Sequence, residues 1–169
     1  MNEAIELNNS NLFLQNKWVK LLVFVSICLV VATMGALLTA SSVTSWYTTI
    51  NKPTWTPPNW LFGPVWTTLY LMMAVAGWLV WQQGSKARRL PITLFSIQLF
   101  LNLIWSGLFF TLQNPILGFI DIVLLWLAIV STMIAFWPVS RLASLLLSPY
   151  LVWVSYATAL NFAIWQMNS

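Results

Sequence analysis

Five apolar stretches of about twenty residues each make up most of this chain. They cover residues 19–40, 61–82, 91–112, 116–137 and 142–165. A helix of about 20 apolar residues crosses the ~30 Å hydrocarbon core of a bilayer. A helix is also the one open-ended element that satisfies its own backbone hydrogen bonds there. The sequence therefore predicts an all-α integral membrane protein, a five-transmembrane-helix bundle.

The amino-acid composition also indicates that the lipid bilayer is the main environment and partner of this chain. Only 6% of the 169 residues are charged and 60% are hydrophobic, whereas a soluble domain carries about 25% charged residues. We expect a polar N-terminal segment at 1–18 and a helical domain at 19–166.

Lys17 and Lys20 before an apolar run also resemble a signal peptide. The run of about twenty residues exceeds the usual h-region of about 7–15, which favours an uncleaved first helix.

Basic residues lie on one side of the predicted membrane. Six of the seven fall on the face that holds the N-terminus and the 83–90 and 138–141 loops, and only Lys52 falls on the other face. This bias predicts a multi-pass protein with a cytoplasmic N-terminus. The basic residues form no patch of the size that nucleic acid needs, so nucleic-acid binding is not expected.

The chain has one cysteine, Cys28, and no histidine. A disulfide framework, a Cys/His zinc site and a histidine-based catalytic relay are therefore excluded within one chain. No metal site is expected and no cofactor is required. Cys28 lies inside an apolar run and is interpreted as a small packing residue.

The longest connection, 42–60, is rich in proline and aromatic residues. Its prolines forbid a regular helix and favour extended or turn conformations. Its aromatic side chains, which water solvates poorly, are Trp46, Tyr47, Trp55 and Trp60. We expect this loop to cover the helix ends as a lid. For Trp55, a position in an interfacial aromatic belt is a comparable alternative.

Twelve tryptophans in one short chain point to a binding role for some of them. An interfacial belt accounts for those at the span ends. It does not account for Trp153, in the middle of the fifth span, and it fits poorly for Trp66 and Trp105. Aromatic walls with a few convergent polar groups predict a pocket for a flat apolar ligand.

Helical spacing groups other residues with these three tryptophans. The stripes are Phe62, Trp66, Tyr70 and Met73; Gln98, Asn102 and Trp105; and Pro149, Trp153, Ala157 and Asn161. Pro149 predicts a kink just before Trp153.

Three polar residues inside the spans allow two interpretations. Asp121 is the only acidic residue there, and a carboxylate in a bilayer should be paired or functional. Alternatively, Asp121 is simply tolerated near the start of its helix, where the dipole and water help it. Asn102 and Asn161 either face a ligand or bond across helices.

Three segments carry a resemblance to a known family. They are Trp46-Tyr47 followed by KPTWTPPNWLFGPVWTTLY at 52–70, QLFLNLIWSGLFF at 98–110, and SPYLVWVSYATALNFAIW at 148–165. Together with Asp121, they resemble the tryptophan-rich sensory protein/translocator protein family, also called peripheral-type benzodiazepine receptors. The resemblance covers residues 20–166.

This resemblance implies a five-helix bundle, often homodimeric, that binds porphyrins, other tetrapyrroles, and isoquinoline and benzodiazepine ligands. The implied ligand-binding residues are Tyr47, Pro58, Phe62, Trp66, Asn102, Trp105, Asp121, Trp153, Ala157 and Asn161. It also implies a catalytic role for Trp66 and Trp153 in light-dependent breakdown of protoporphyrin IX. The cholesterol motif of animal members is not matched, because its places hold Ala163 and Gln166. This departure favours a bacterial cell membrane.

Three functions are therefore open. The first is a membrane receptor or sensor that binds tetrapyrroles and other flat hydrophobic ligands and promotes their degradation in light. The second is a transporter or efflux helper for tetrapyrroles or small amphiphiles, although the single acid Asp121 offers no proton relay. The third is a structural or scaffolding role.

Overall fold

The protein was analysed as a computed structural model, which describes residues 16–169. This part of the chain is helical and contains no strand. The helices are α1 (Lys17–Val43), α2 (Trp46–Thr49), α3 (Asn59–Trp81), α4 (Ser85–Ser106), α5 (Pro115–Phe136), α6 (Arg141–Leu146) and α7 (Ser148–Asn168). A π-helical turn, Gly107–Thr111, continues α4. Most of the expected polar N-terminal segment, residues 1–15, lies outside the described residues.

Five helical segments are long and apolar enough to cross a membrane. They are Lys17–Val43, Asn59–Trp81, Lys86–Thr111, Pro115–Phe136 and Arg141–Met167. The last combines α6 and α7. The predicted five-helix membrane bundle is confirmed.

The third of these helices begins earlier than the apolar stretch at 91–112. Its first residues are polar and charged, so hydropathy does not mark them, but they are compatible with a helix at the membrane surface. Arg88 is held there by Trp81: its guanidinium lies 4.1 Å from the ring centroid, and its Nη1 donates to the Trp81 carbonyl at 2.8 Å. The α4 helix therefore includes the basic residues that were expected in a loop.

The bend near Pro149 takes a different form from the predicted kink. The chain breaks at Leu147, between α6 and α7, and Pro149 lies in the first turn of α7. A proline is tolerated in a first turn because its missing N–H would lack an intrahelical partner anyway. Trp153 therefore lies in a regular part of the helix.

The helices pack around one apolar core. α1 packs against α3 and α4, and α5 packs against α4 and α7. Met73, Phe136, Tyr150 and Val154 are fully buried in this core. α1 and α3 are in close contact at Gly77, where a Cβ atom would lie 2.7 Å from Cε1 of Phe24.

The loop between α1 and α3 is fastened to α7. The Tyr156 hydroxyl donates to the Trp55 carbonyl at 2.8 Å. The side-chain amide of Asn168 accepts from the Asn51 N–H at 3.0 Å and donates to the Asn51 carbonyl at 2.9 Å. Tyr47 packs inward, whereas Trp55 and Trp60 are exposed. Only part of the loop's aromatic surface therefore covers the bundle, and Trp55 has the exposure that a belt residue would have.

Candidate functional site

A cavity of about 350 Å³ lies between α1, α3 and the C-terminal end of α4. Its lining is aromatic or small, with a few uncharged polar groups. The lining residues of α1 and α2 are Ala32, Gly35, Ala36, Thr39, Ala40, Val43 and Tyr47. Those of α3 are Asn59, Phe62, Gly63, Trp66, Thr67 and Tyr70. The third group is Asn102, Trp105, Ser106 and Phe110.

The floor of the cavity comes from α4 and the π-helical turn. The Leu112 N–H donates to the Gly107 carbonyl at 2.8 Å, five residues back. This wider turn buries both Phe109 and Phe110, although they are adjacent in sequence. Trp105 stacks on Phe109 with ring centroids 5.4 Å apart and meets Phe110 edge-on at 5.7 Å. Single π-turns of this kind are frequent at functional sites.

The π-helical turn is fixed to α1 by short contacts. The buried Ser42 hydroxyl donates to the Phe110 carbonyl at 2.7 Å, and the Thr111 hydroxyl donates to the Leu38 carbonyl at 3.0 Å. Gly35 allows close approach, because a Cβ there would lie 3.3 Å from the Ser106 hydroxyl oxygen. The α1–α4 side of the cavity is therefore closed.

Asn102 is held between two tyrosines below the cavity. The Tyr70 hydroxyl donates to Asn102 Oδ1, and Asn102 Nδ2 donates to the Tyr150 hydroxyl at 2.9 Å. These contacts join α3, α4 and α7 in the buried interior of the bundle. Asn102 therefore forms hydrogen bonds across helices, which was one of its two interpretations. Its side chain also contributes to the cavity lining.

Phe62 and Trp66 form the α3 wall. The Trp66 ring lies 5.8 Å from Tyr70 and 6.2 Å from Tyr150. Trp153 lies behind this wall and meets Phe62 edge-on at 5.9 Å. Trp66 is therefore in direct contact with the cavity, whereas Trp153 supports it through Phe62.

Tyr47 forms the roof. It is 4% exposed and packs on Phe110 and Phe109 at 5.7 and 6.3 Å. The Lys52 ammonium donates to the Tyr47 carbonyl and lies 4.9 Å from its ring centroid. Burial, with a smaller contribution from Tyr156, raises the pKa of Tyr47 to about 12. The Tyr47 hydroxyl therefore stays protonated even in mildly alkaline solution.

The ten residues implied by the resemblance divide into two groups of equal size. Tyr47, Phe62, Trp66, Asn102 and Trp105 line the cavity. The other five, which do not line it, are Pro58, Asp121, Trp153, Ala157 and Asn161. Spacing along a helix gives the direction of a side chain but not which neighbouring helix it meets, so residues of α5 and α7 could not be separated from those of α3 and α4.

Two of the five residues outside the cavity, Trp153 and Asn161, support its wall residues from behind. Asn161 Oδ1 accepts from Trp105 Nε1 at 3.1 Å, and its Nδ2 donates to the Pro115 carbonyl at 2.8 Å. This amide therefore orients Trp105. Ala157 is half-buried against the core, and Pro58 is exposed before α3.

Asp121 is buried on α5. Its Oδ2 has no hydrogen-bond partner among the described residues. Asp121 was expected to be either paired or functional, or simply tolerated near the start of its helix, and pairing is not seen at this oxygen.

The sequence reasoning missed the contribution of α1. Its lining residues recur at helical spacing, as Ala32, Gly35, Ala36, Thr39 and Ala40. This stripe of small residues interrupts a helix otherwise rich in leucine and valine. Such a stripe is the signal that could have placed α1 at the cavity.

The cavity can bind an apolar ring system but has no machinery for acid–base chemistry. No charged side chain lines it. The part of the chain that the structure describes holds no group of three or more potential metal ligands. Stacking on aromatic rings and hydrogen bonds to hydroxyl and amide groups are the available interactions.

Comparisons with known proteins agree with this architecture. The TspO/MBR family profile matches residues 24–166. The tryptophan-rich protein TspO of Chlorobaculum tepidum is 51% identical over 146 residues, which are 85% of this chain and 92% of the relative. The tryptophan-rich sensory protein of Cereibacter sphaeroides is 35% identical over 151 residues, 89% and 92% of the two chains. The human translocator protein is 39% identical over 126 residues, 73% and 75% of the two chains.

The family profile runs through all five membrane-crossing helices and the loop over the cavity. These matches support a role as a membrane sensor or receptor. The chain is an integral multi-pass membrane protein and belongs to the TspO/MBR family.

Proposed function

We propose that this protein is a membrane receptor or sensor that binds tetrapyrroles such as protoporphyrin IX, and other flat hydrophobic molecules, in the cavity between α1, α3 and α4. The observation that carries the proposal is the lining itself. Trp66, Trp105, Phe62, Phe110 and Tyr47 surround a space of about 350 Å³ whose polar groups are all uncharged.

The energetics of such a site favour a planar aromatic ligand. Ligand cavities measure about 300–1,000 Å³, so this one encloses a compact ring system and a larger ligand would extend past its rim. Each ring stacked on the ligand contributes about 0.5–1.5 kcal/mol beyond the burial of apolar area. Because no cation lines the space, the carboxylates of a porphyrin would remain at the rim.

The absence of histidine also bears on the choice of tetrapyrrole. Haem iron is most often held by an axial ligand such as imidazole or thiolate. This chain has no imidazole, and Cys28 does not line the cavity. We therefore propose a free-base porphyrin as the ligand, held by stacking.

Fluorescence titration tests the binding proposal. We expect protoporphyrin IX to quench the tryptophan fluorescence of the purified protein saturably in the dark. Trp66→Leu and Trp105→Leu should each weaken binding by about tenfold, equivalent to about 1.4 kcal/mol. Trp137→Leu is the control, because Trp137 is exposed at the end of α5 and does not line the cavity.

The scaffolding alternative predicts no saturable quenching at all. Equal affinities in Trp66→Leu, Trp105→Leu and Trp137→Leu would instead place the ligand somewhere other than this cavity.

We further propose that a bound porphyrin is degraded in light with dissolved dioxygen as the oxidant. In the first step one electron passes from the Trp66 indole to the excited porphyrin, which leaves an indole radical cation and a porphyrin radical anion for dioxygen to oxidise. Trp66 lines the cavity, whereas Trp153 lies behind Phe62. Under illumination, Trp66→Phe should therefore abolish porphyrin loss and Trp153→Phe should slow it less. Absorbance of the bound porphyrin measures both rates. Unchanged loss in Trp66→Phe would refute this photochemical role.

Transport is the competing proposal, and it has a separate measurement. A transporter would move porphyrin across proteoliposomes in the dark at a rate that depends on intact protein. The only acidic residue in the described part of the chain is Asp121, which does not line the cavity. We therefore expect no dark flux above that of protein-free vesicles.

A further inference from the structure

The cavity is unevenly enclosed, and its open side lies between α1 and α3. The floor residues Asn102, Ser106 and Phe110 are buried. Exposure increases outward along both walls. The outermost lining residues, Ala36 and Ala40 on α1 and Gly63 and Thr67 on α3, are exposed on the surface of the bundle.

The aqueous end of the same cavity is closed. Tyr47 fills it and is held by the Lys52 ammonium through its backbone carbonyl. The remainder of the loop is fastened to α7 through the Trp55 carbonyl and through both backbone groups of Asn51. A ligand that arrived from water would have to break these contacts.

At the end of the bundle away from the loop, α1 and α3 are joined by direct contacts. Trp18 stacks on Trp78 with centroids 6.4 Å apart, and Trp78 Nε1 donates to the Lys17 carbonyl at 2.9 Å. Phe24 packs into the space left by Gly77. Among residues 16–169, no side-chain hydrogen bond joins α1 to α3 beside the cavity. The two helices can therefore separate at the cavity while their far ends stay joined.

We propose that ligands reach the cavity sideways, from the leaflet on the loop side, through the opening between Ala36 and Ala40 on α1 and Gly63 and Thr67 on α3. The ligand class is thus a flat amphiphile already dissolved in the bilayer, with its polar groups at headgroup level. This inference rests on the proposed binding function and adds the route and the phase from which the ligand comes.

Narrowing the opening tests the route. No atom lies within 4 Å of a Cβ built at Gly63, so Gly63→Leu fits without a clash, and Ala40→Leu adds bulk on the opposite edge. Ala159→Leu is the matched control, because Ala159 is exposed on α7 and does not line the cavity. The probe is protoporphyrin IX in lipid vesicles that contain the full chain, followed by stopped-flow quenching of tryptophan fluorescence.

We expect Gly63→Leu and Ala40→Leu to slow dissociation as well as association, each by about tenfold. Association in the unmodified protein should follow the ratio of porphyrin to lipid rather than its aqueous concentration. Asn168→Ala, which removes a loop contact, should leave both rates unchanged.

Two results would overturn the route while leaving the binding function intact. One is unchanged rates in the two leucine variants together with faster rates in Asn168→Ala, which would indicate access through the loop. The other is slower association with unchanged or faster dissociation, which would mean that the leucine side chain occupies the ligand's place. Absence of saturable quenching in the unmodified protein would overturn the binding function and the route together.

Discussion

Two asparagines in the membrane interior connect helices through aromatic partners. Asn102 lies between the hydroxyls of Tyr70 and Tyr150, and Asn161 lies between Trp105 and the Pro115 carbonyl. In hydrocarbon no water replaces a lost partner, so each amide holds the orientation of the rings that it contacts. Their main effect on binding is therefore indirect, through the position of the rings.

Replacing Asn161 should destabilise the bundle and weaken binding. Asn161→Ala leaves Trp105 Nε1 and the Pro115 carbonyl without partners, and interhelical hydrogen bonds in membranes contribute about 0.6–1.7 kcal/mol each. We expect the free energy of unfolding to fall by about 1–2 kcal/mol, measured by denaturant titration in mixed micelles. Gln166→Ala, at an exposed position of the same helix, is the control. Equal stability of the two variants would contradict the role given to Asn161.

At the scale of the helices, the α1–α3 pair combines close packing at one end with open space at the other. Gly77 is tightly enclosed: a Cβ there would lie 2.7 Å from Phe24 Cε1 and 3.1 Å from Phe95 Cζ. Gly63, on the same helix, has no neighbour within 4 Å of its Cβ position. The same substitution at these two glycines therefore has different expected effects.

Gly77→Ala should destabilise the protein by about 1–3 kcal/mol, the usual range for overpacking a core. Gly63→Ala should be neutral or slightly stabilising, because alanine has the higher helix propensity. Thermal unfolding in one detergent measures both. A smaller loss in Gly77→Ala than in Gly63→Ala would show that the helices are not in contact at Phe24.

The helices could be predicted more completely than the site. Five apolar stretches suffice for five membrane-crossing helices, because an α-helix is the simplest way to bury a single backbone there. Trp66 and Trp105 could be predicted as pocket residues because they lie inside their spans, where an interfacial belt fits poorly. The π-helical turn at Gly107–Thr111 was not predicted, since no residue type marks it. The role of α1 was missed because alanine and glycine give a weak signal in an apolar run.

At the scale of the whole molecule, basic residues cluster at one end of the bundle and stack on tryptophans. The cation–ring distances are 5.2 Å for Lys17 on Trp18, 4.1 Å for Arg88 on Trp81 and 5.7 Å for Arg141 on Trp137. Paired cations and indoles at this depth suit the headgroup region. We propose that this end, with the N-terminus, faces the cytoplasm, and that the host is a bacterial cell membrane.

Cysteine labelling tests this orientation. In a Cys28→Ala background, we expect a membrane-impermeant maleimide to label Thr54→Cys in intact cells. It should label Gly84→Cys only after permeabilisation. Both positions are exposed and lie at opposite ends of α3. The reverse labelling pattern would invert the proposed topology.

The family resemblance also leads us to propose a homodimer. Light scattering of the detergent-solubilised protein, corrected for bound detergent, should give twice the mass of one 19.2 kDa chain. The mass of a single chain across a range of detergent concentrations would contradict the dimer.

The length of α1 links the cavity to the host membrane. Its apolar stretch, residues 19–40, measures about 33 Å, slightly more than a hydrocarbon core of about 30 Å. A helix longer than the hydrocarbon core tilts to bury its apolar length, and it tilts further as the bilayer becomes thinner. Because α1 meets α3 closely at Gly77, we expect added tilt to widen the separation of the two helices at Ala40. Bilayer thickness should therefore change the width of the opening between α1 and α3. We expect short-chain lipids to speed porphyrin uptake and long-chain lipids to slow it.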